Sequence, residues 1–184
     1  METTDYDLVI IGAGPAGTPV AMEYAKLDSS KKVALIDSLG ELGGECLFQG
    51  CIPSKIMEAS AKAIQELDSL KAFGVAIDNS HHKLVWEKIK ERKESILNRR
   101  TTAAKEVAQG IANIEIIKAW ASFEDEHHLK LSFEKGEEKI ISFERALIAT
   151  GSKANIATYQ GNATDEIITN DEFFAKMELP QSLT

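Results

Sequence analysis

A chain of 184 residues with 43% hydrophobic residues can bury one core but is too short for two full domains of ordinary size. Its formal net charge of -8 argues against an extended nucleic-acid partner, which needs a basic face. Residues 1–7 carry acidic groups ahead of one short apolar run, and no stretch approaches the roughly 20 apolar residues of a membrane span, so a soluble, cytoplasmic chain with no secretory leader is expected.

In chain order, Asp7 to Ile11 is apolar and β-branched, as in a buried strand, and runs directly into Gly12-Ala-Gly-Pro-Ala-Gly17. A helix should follow to about Lys26, with Pro15 in its first turn, where a missing N–H costs nothing. Lys32 to Asp37 reads as a second buried strand, which completes a β-α-β unit with parallel strands. Residues 39–52 hold Gly40, Gly43, Gly44 and Gly50 and should be irregular. A helix is expected from Pro53, with Ile56, Ser60, Ala63, Ile64, Leu67 and Leu70 on one face.

After a loop over 73–82, a long helix should span about Lys83 to Gln109, with Val85, Ile89, Ile96, Ala103 and Val107 as its apolar stripe and Gly110 as its stop. Ile114–Lys118, Leu129–Phe133 and Lys139–Phe143 read as a small antiparallel meander. Arg145 to Ala149 reads as another buried strand, leading into Thr150-Gly151-Ser152. Thr169 and Glu172 have the spacing of a capping box for a short helix, before Leu179 and Pro180. The fold class expected is α/β: a parallel sheet, helices and a small antiparallel β-meander.

The glycine string lies between a strand and a helix, and Asp37 ends the next strand 20 residues after Gly17, the spacing of a dinucleotide fold. In such a turn Gly12 permits the sharp bend, Gly14 lets the backbone approach a pyrophosphate, and Gly17 allows close helix–strand packing. The helix N-terminus would face the phosphates and Asp37 would accept the adenosine ribose hydroxyls. These residues alone leave FAD and NAD equally open.

Only two cysteines are present, Cys46 and Cys51. A close pair in a reducing compartment points to catalysis or metal binding. Five residues of regular helix rise about 7.5 Å, beyond the usual ~4.4–6.8 Å between bridged Cα atoms, so a bridge requires a broken turn. Gly50 and Pro53 supply that freedom and a helix restart, which would place Cys51 near a helix N-terminus, where thiolate is favoured over thiol. Zinc is the competing use, but His81-His82 and His127-His128 fit no common ligand spacing and read as solvated loop residues. Two inert buried cysteines remain a further alternative.

Taken with Gly43-Gly44-x-Cys46-x4-Cys51-Ile52-Pro53-Ser54-Lys55 and Ala149-Thr150-Gly151-Ser152, the sequence resembles the pyridine nucleotide-disulfide oxidoreductases of the dihydrolipoamide dehydrogenase type. The resemblance implies a Rossmann-like FAD-binding domain, with residues 1–152 as its first segment and 153–184 leading toward an NAD(P)-binding domain absent from this chain. It implies FAD, with NAD(P)H in the complete enzyme, a Cys46–Cys51 redox disulfide, Cys51 against the isoalloxazine ring and Cys46 as the thiol that attacks substrate. For cofactor binding it points to Gly12, Gly14, Pro15, Ala16, Gly17, Asp37, Ser38, Gly44, Glu45, Lys55, Ala119, Ala121, Thr150, Gly151 and Ser152, with Lys55 near the flavin's reactive nitrogen.

The substrate so implied is a small dithiol or disulfide, or a lipoyl group, and the complete enzyme would be a homodimer, binding neither nucleic acid nor membrane. Mercuric reductase is the alternative branch, and a non-catalytic nucleotide-binding module the alternative class. Two residues depart from the family pattern: Glu45 stands where a small residue is common, and Ala119 replaces a frequent glycine near the adenine. Family members continue into a second glycine turn and the His–Glu acid–base pair, so the 184 residues alone are expected to be inactive.

Overall fold

The structure, a computed structural model, describes residues 5–76, 84–160, 167–176, 178–179 and 182. His81, His82, the expected helix start at Lys83, and Pro180 lie outside the described residues. The chain forms two compact units, one from residues 1–46 and 100–153, the other from 47–99 and 154–184.

The first unit holds a six-stranded sheet in the order β3-β2-β1-β6-β5-β4. Its strands are β1 (Tyr6–Ile11), β2 (Val33–Asp37), β3 (Ile114–Lys118), β4 (Trp120–Phe123), β5 (His128–Ser132) and β6 (Glu138–Ile148), with α1 (Gly17–Leu27) between the first two. β1 pairs in parallel with β2 and β6, and β2 in parallel with β3. Period-two alternation sends Leu8, Ile10, Val33 and Leu35 to one face, where they pack with Ala21 and Ala25 of α1. Val9, Ala34 and Ile36 go to the other and pack with Leu129, Leu131, Ile141 and Phe143. Burial on both faces explains why these strands read as continuous apolar runs.

Three expectations for this unit need correction. Ile114–Lys118 is not part of the meander; it extends the parallel sheet beside β2. Its place in the antiparallel set is taken by Trp120–Phe123, a strand whose mostly exposed residues carry little periodic signal. The segments Lys139–Phe143 and Arg145–Ala149 are one strand, β6, which pairs antiparallel with β5 over Glu138–Ser142 and parallel with β1 from Phe143 onward.

The second unit contains α3 (Cys51–Ser69), a 3-10 turn (Leu70–Phe73) and α5 (Asn170–Lys176). Two helices, α2 (Gly44–Phe48) and α4 (Trp86–Gln109), contribute residues to both units. The segment expected to be irregular therefore includes α2, and α3 begins two residues before Pro53. Proline is tolerated there because the first amides of a helix have no intrahelical acceptor. Likewise α1 starts at Gly17, two residues after Pro15.

On α3 the expected apolar face is covered at Ile56 but not at Ala63 or Ile64, and Leu70, in the 3-10 turn that follows, is exposed as well. On α4 the buried positions are Lys93, Leu97 and Ala108, whereas Ala103 and Val107 face solvent. The buried face is rotated from the expected stripe, and a lysine holds one of its inward positions, the stem packed and the Lys93 ammonium donating to the Phe174 carbonyl at 2.9 Å. The capping box forms: the Thr169 amide donates to Glu172 Oε2 at 2.8 Å, and the Glu172 amide to Thr169 Oγ1 at 3.4 Å.

Candidate functional site

The turn after β1 is shaped by steric necessity at two glycines. Gly12 has a φ of +105°, and a Cβ there would collide with the Ala149 carbonyl; one at Gly17 would collide with the Gly12 carbonyl. Across from them Gly44, φ +54°, approaches so closely that its Cβ would lie 2.7 Å from the Gly14 Cα. Gly14 differs: its φ is not positive, and a Cβ there would meet only the Gly44 Cα, at 3.9 Å.

Hydrogen bonds lock this arrangement. The Gly12 amide donates to the Ile36 carbonyl at 2.7 Å and the Ala149 amide to the Ile11 carbonyl at 2.8 Å, so β2 and the end of β6 flank the turn. Asp37 accepts the Ala13 amide at 3.0 Å through Oδ2 and the Leu39 amide at 2.9 Å through Oδ1. The Ala13 carbonyl accepts the Gly43 amide at 2.8 Å and the Thr18 hydroxyl at 2.7 Å. No described side chain caps α1 and its first turn holds no acidic residue, so its amide end is suited to an anion.

The first unit thus brings together Gly12, Gly14, Pro15, Ala16, Gly17, Asp37, Ser38 and Gly44, with Thr150 directly after Ala149. Ala119 is buried between β3 and β4, its amide donating to the Asp37 carbonyl at 3.1 Å, and Ala121 is half-buried on β4. Thr150, Gly151 and Ser152 are exposed, with Gly151 at φ +73°. Glu45 is exposed in the first turn of α2, and Cys46 follows it, half-buried.

In the second unit Cys51 is exposed at the first position of the 19-residue α3, after the helix break at Gln49 and Gly50. The Ser54 amide and hydroxyl both donate to the Gly50 carbonyl, at 3.1 and 2.7 Å. Lys55 is exposed and donates to Glu58 at 2.6 Å, and Lys62 pairs with the same carboxylate at 2.7 Å. Hydrogen bonds from Lys55 and then Lys62 hold the Glu58 carboxyl down at about 2. Sequence reasoning named Gly43 and Ala149 only within motif strings and gave no role to Ala13 or Leu39, since the bonds of these residues run through backbone atoms; Gly43 alone carries a residue-type signal, its φ of +124°. Among the described residues no three of His, Cys, Asp and Glu converge as a metal site, and no helix is long and apolar enough to cross a membrane.

Comparison with known proteins adds a family. The model of the family described as pyridine nucleotide-disulphide oxidoreductase matches residues 6–184. A dihydrolipoyl dehydrogenase of Bacillus subtilis is 31% identical over 182 residues, covering 96% of this chain and 37% of that protein. A soluble pyridine nucleotide transhydrogenase of Colwellia psychrerythraea is 33% identical over 155 residues, covering 83% of this chain and 32% of its own length. Among solved structures, a Cu(II) complex of a HOCl-induced flavoprotein disulfide reductase from Escherichia coli superposes with a TM-score of 0.67 at 26% identity, covering 86% of this chain and 31% of that one. The chain therefore spans about a third of the length of the relatives it matches.

Proposed function

The chain belongs to the pyridine nucleotide-disulphide oxidoreductase family, and from that membership we propose that residues 1–152 form the first segment of the FAD-binding domain of an NAD(P)H-linked disulfide oxidoreductase, with 153–184 leading toward its NAD(P)-binding domain. The observation that carries this reading is Gly14. The fold itself demands glycine at 12, 17 and 44, whereas position 14 has room for a Cβ. A ligand pressed against the backbone is what a side chain at Gly14 would obstruct.

When bound, FAD would relay two electrons between nicotinamide and the cysteine pair. The residues of this chain have assigned tasks in that reading. Gly14 to Gly17 and the N-terminus of α1 hold the pyrophosphate, with Pro15 and Ala16 in the turn and Gly44 and Glu45 beside it. Asp37 and Ser38 hold the ribose, Ala119 and Ala121 border the adenine, and Lys55 with Thr150, Gly151 and Ser152 border the flavin. Cys51 faces the flavin and Cys46 exchanges with substrate. One thiolate of a dihydrolipoyl-type dithiol attacks the Cys46 sulfur of the Cys46–Cys51 disulfide, releasing the Cys51 thiolate. The second substrate thiolate then attacks its own sulfur in the mixed disulfide, releasing the Cys46 thiolate and leaving the substrate oxidised by two electrons.

The complete enzyme is proposed to be a soluble, cytoplasmic homodimer acting on a dithiol, with mercuric reductase-like activity as the second reading, favoured by the metal-bound state of its solved relative. Titration of the purified protein with FAD, followed by loss of free-flavin fluorescence, tests the cofactor assignment. Saturable binding lost in Gly14→Ala with the fold intact is expected; unchanged binding by that variant overturns it. Thiol counting tests the pair, which should show two thiols only after reduction. A non-catalytic module would bind FAD yet show two thiols under both conditions.

A further inference from the structure

We infer that Asp37 is a positioning residue that ties the cysteine-bearing segment to the nucleotide turn, so that the state of the turn governs access to Cys46. The inference rests on the proposed cofactor and dithiol roles. One carboxylate holds both parts at once: Oδ2 accepts the Ala13 amide of the turn at 3.0 Å, and Oδ1 accepts the Leu39 amide, at 2.9 Å, on the strand of chain leading to α2. Ala13 closes the loop from its other side, its carbonyl accepting the Gly43 amide at 2.8 Å, one residue before α2 begins. Gly44, the first residue of α2, then rests on the Gly14 backbone. Glu41 within the same segment pairs with Lys105 of α4 at 2.9 Å, a second and separate tether.

Cys46 is the third residue of α2. A ligand drawn to the backbone at Gly14 therefore bears on the peptide of Ala13, on which the segment hangs, and through two hydrogen bonds on the path to Cys46. Removing the carboxylate would take away one of the links between segment and turn while leaving the Gly43–Ala13 hydrogen bond and the strand pairing of β1 with β2 in place. Asp7 provides the control: it is a carboxylate at the opposite end of the same two strands, accepting Lys31 Nζ at 2.7 Å and the Lys32 amide at 2.8 Å.

The test is iodoacetamide labelling of the reduced full chain, with Cys46 and Cys51 quantified separately by mass spectrometry below the unfolding transition. In Asp37→Ala, Cys46 should label about tenfold faster, the factor that corresponds to ~1.4 kcal/mol. Asp37→Asn, which keeps one acceptor, should fall between, and Cys51 should be unchanged. Asp7→Ala should leave both rates as in the wild type. An unaltered Cys46 rate in Asp37→Ala, or equal acceleration in Asp7→Ala, overturns the proposal. Added FAD should slow Cys46 labelling in the wild type. Failure of FAD to bind at all would overturn the cofactor reading while leaving the labelling comparison between variants decisive for the tether. If both Asp37 variants fail to fold, amide exchange in the wild type decides: Ala13, Leu39 and Gly43 should exchange as slowly as β2, and exchange at the rate of exposed turns overturns the tether.

Discussion

The backbones of Gly14 and Gly44 meet without side chains between them, such that a Cβ on Gly44 would stand 2.7 Å from the Gly14 Cα whereas the reverse substitution leaves 3.9 Å. The two glycines should therefore respond differently to alanine. Gly44→Ala forces a left-handed backbone on alanine in addition to the collision, and should cost at least about 1–2 kcal/mol of stability. Gly14→Ala should cost less than about 1 kcal/mol. Urea unfolding of both variants checks the asymmetry, and equal destabilisation would refute it.

At the other end of β1 the Asp7 carboxyl is held below 3.8 by the hydrogen bond from Lys31 and then by that from the Lys32 amide. A carboxyl lowered on folding contributes stability above its unfolded value and loses it as pH falls through the folded one. The unfolding midpoints of wild type and Asp7→Asn should therefore differ near neutrality and draw together as pH falls below 3.8. A constant gap across that range would show that the charge on Asp7 is not what stabilises.

Lys93 offers a test in the second unit, because its side chain is only 6% exposed while its ammonium donates to the Phe174 carbonyl and pairs with Glu94 at 2.9 Å. Lys93→Met keeps the packed stem and removes the donor. Loss of a hydrogen bond from a charged group should cost about 1.5–3 kcal/mol. Amide exchange should quicken across Asn170–Lys176, the helix that this bond holds. Unchanged exchange there would mean that packing of Phe174 alone seats the helix.

The 184 residues by themselves should not turn over NADH and lipoamide in the presence of FAD. Positioning of a hydride donor can supply as much as ~7–11 kcal/mol of a barrier, and this chain spans 37% of the length of its Bacillus subtilis relative. Spectrophotometry at 340 nm against a flavin-only control measures this, with turnover of about 1 s⁻¹ or more as the contrary result.

Much of this was legible where burial and backbone need speak through residue type. Val9, Ile10, Leu35 and Ile36 are buried on both sides of the sheet, and their unbroken apolar runs marked β1 and β2. Thr169 and Glu172 announced their cap because the side chains themselves make the bonds. Other features had no such voice. Trp120 is 71% exposed in a strand held by backbone pairing with β5. Lys93 occupies a buried helical position that a reading of hydrophobic periodicity assigns to solvent. At the turn after β1 the sequence singles out Asp37 and the glycines by residue type, whereas the bonds through Ala13, Leu39 and Gly43 run from main-chain atoms that every residue possesses.

The pairing of Leu8 in β1 with Arg145 in β6 sets a condition on how the molecule is made. β1 emerges well before β6, the neighbour with which it pairs across a long stretch of intervening chain. Until β6 is complete, the inner strand of the finished sheet is an open edge, and an exposed apolar edge templates association between chains. Contacts this distant in sequence also close slowly. Nascent chains ending before Ile148 should consequently depend on chaperones to a degree that chains extending past it do not.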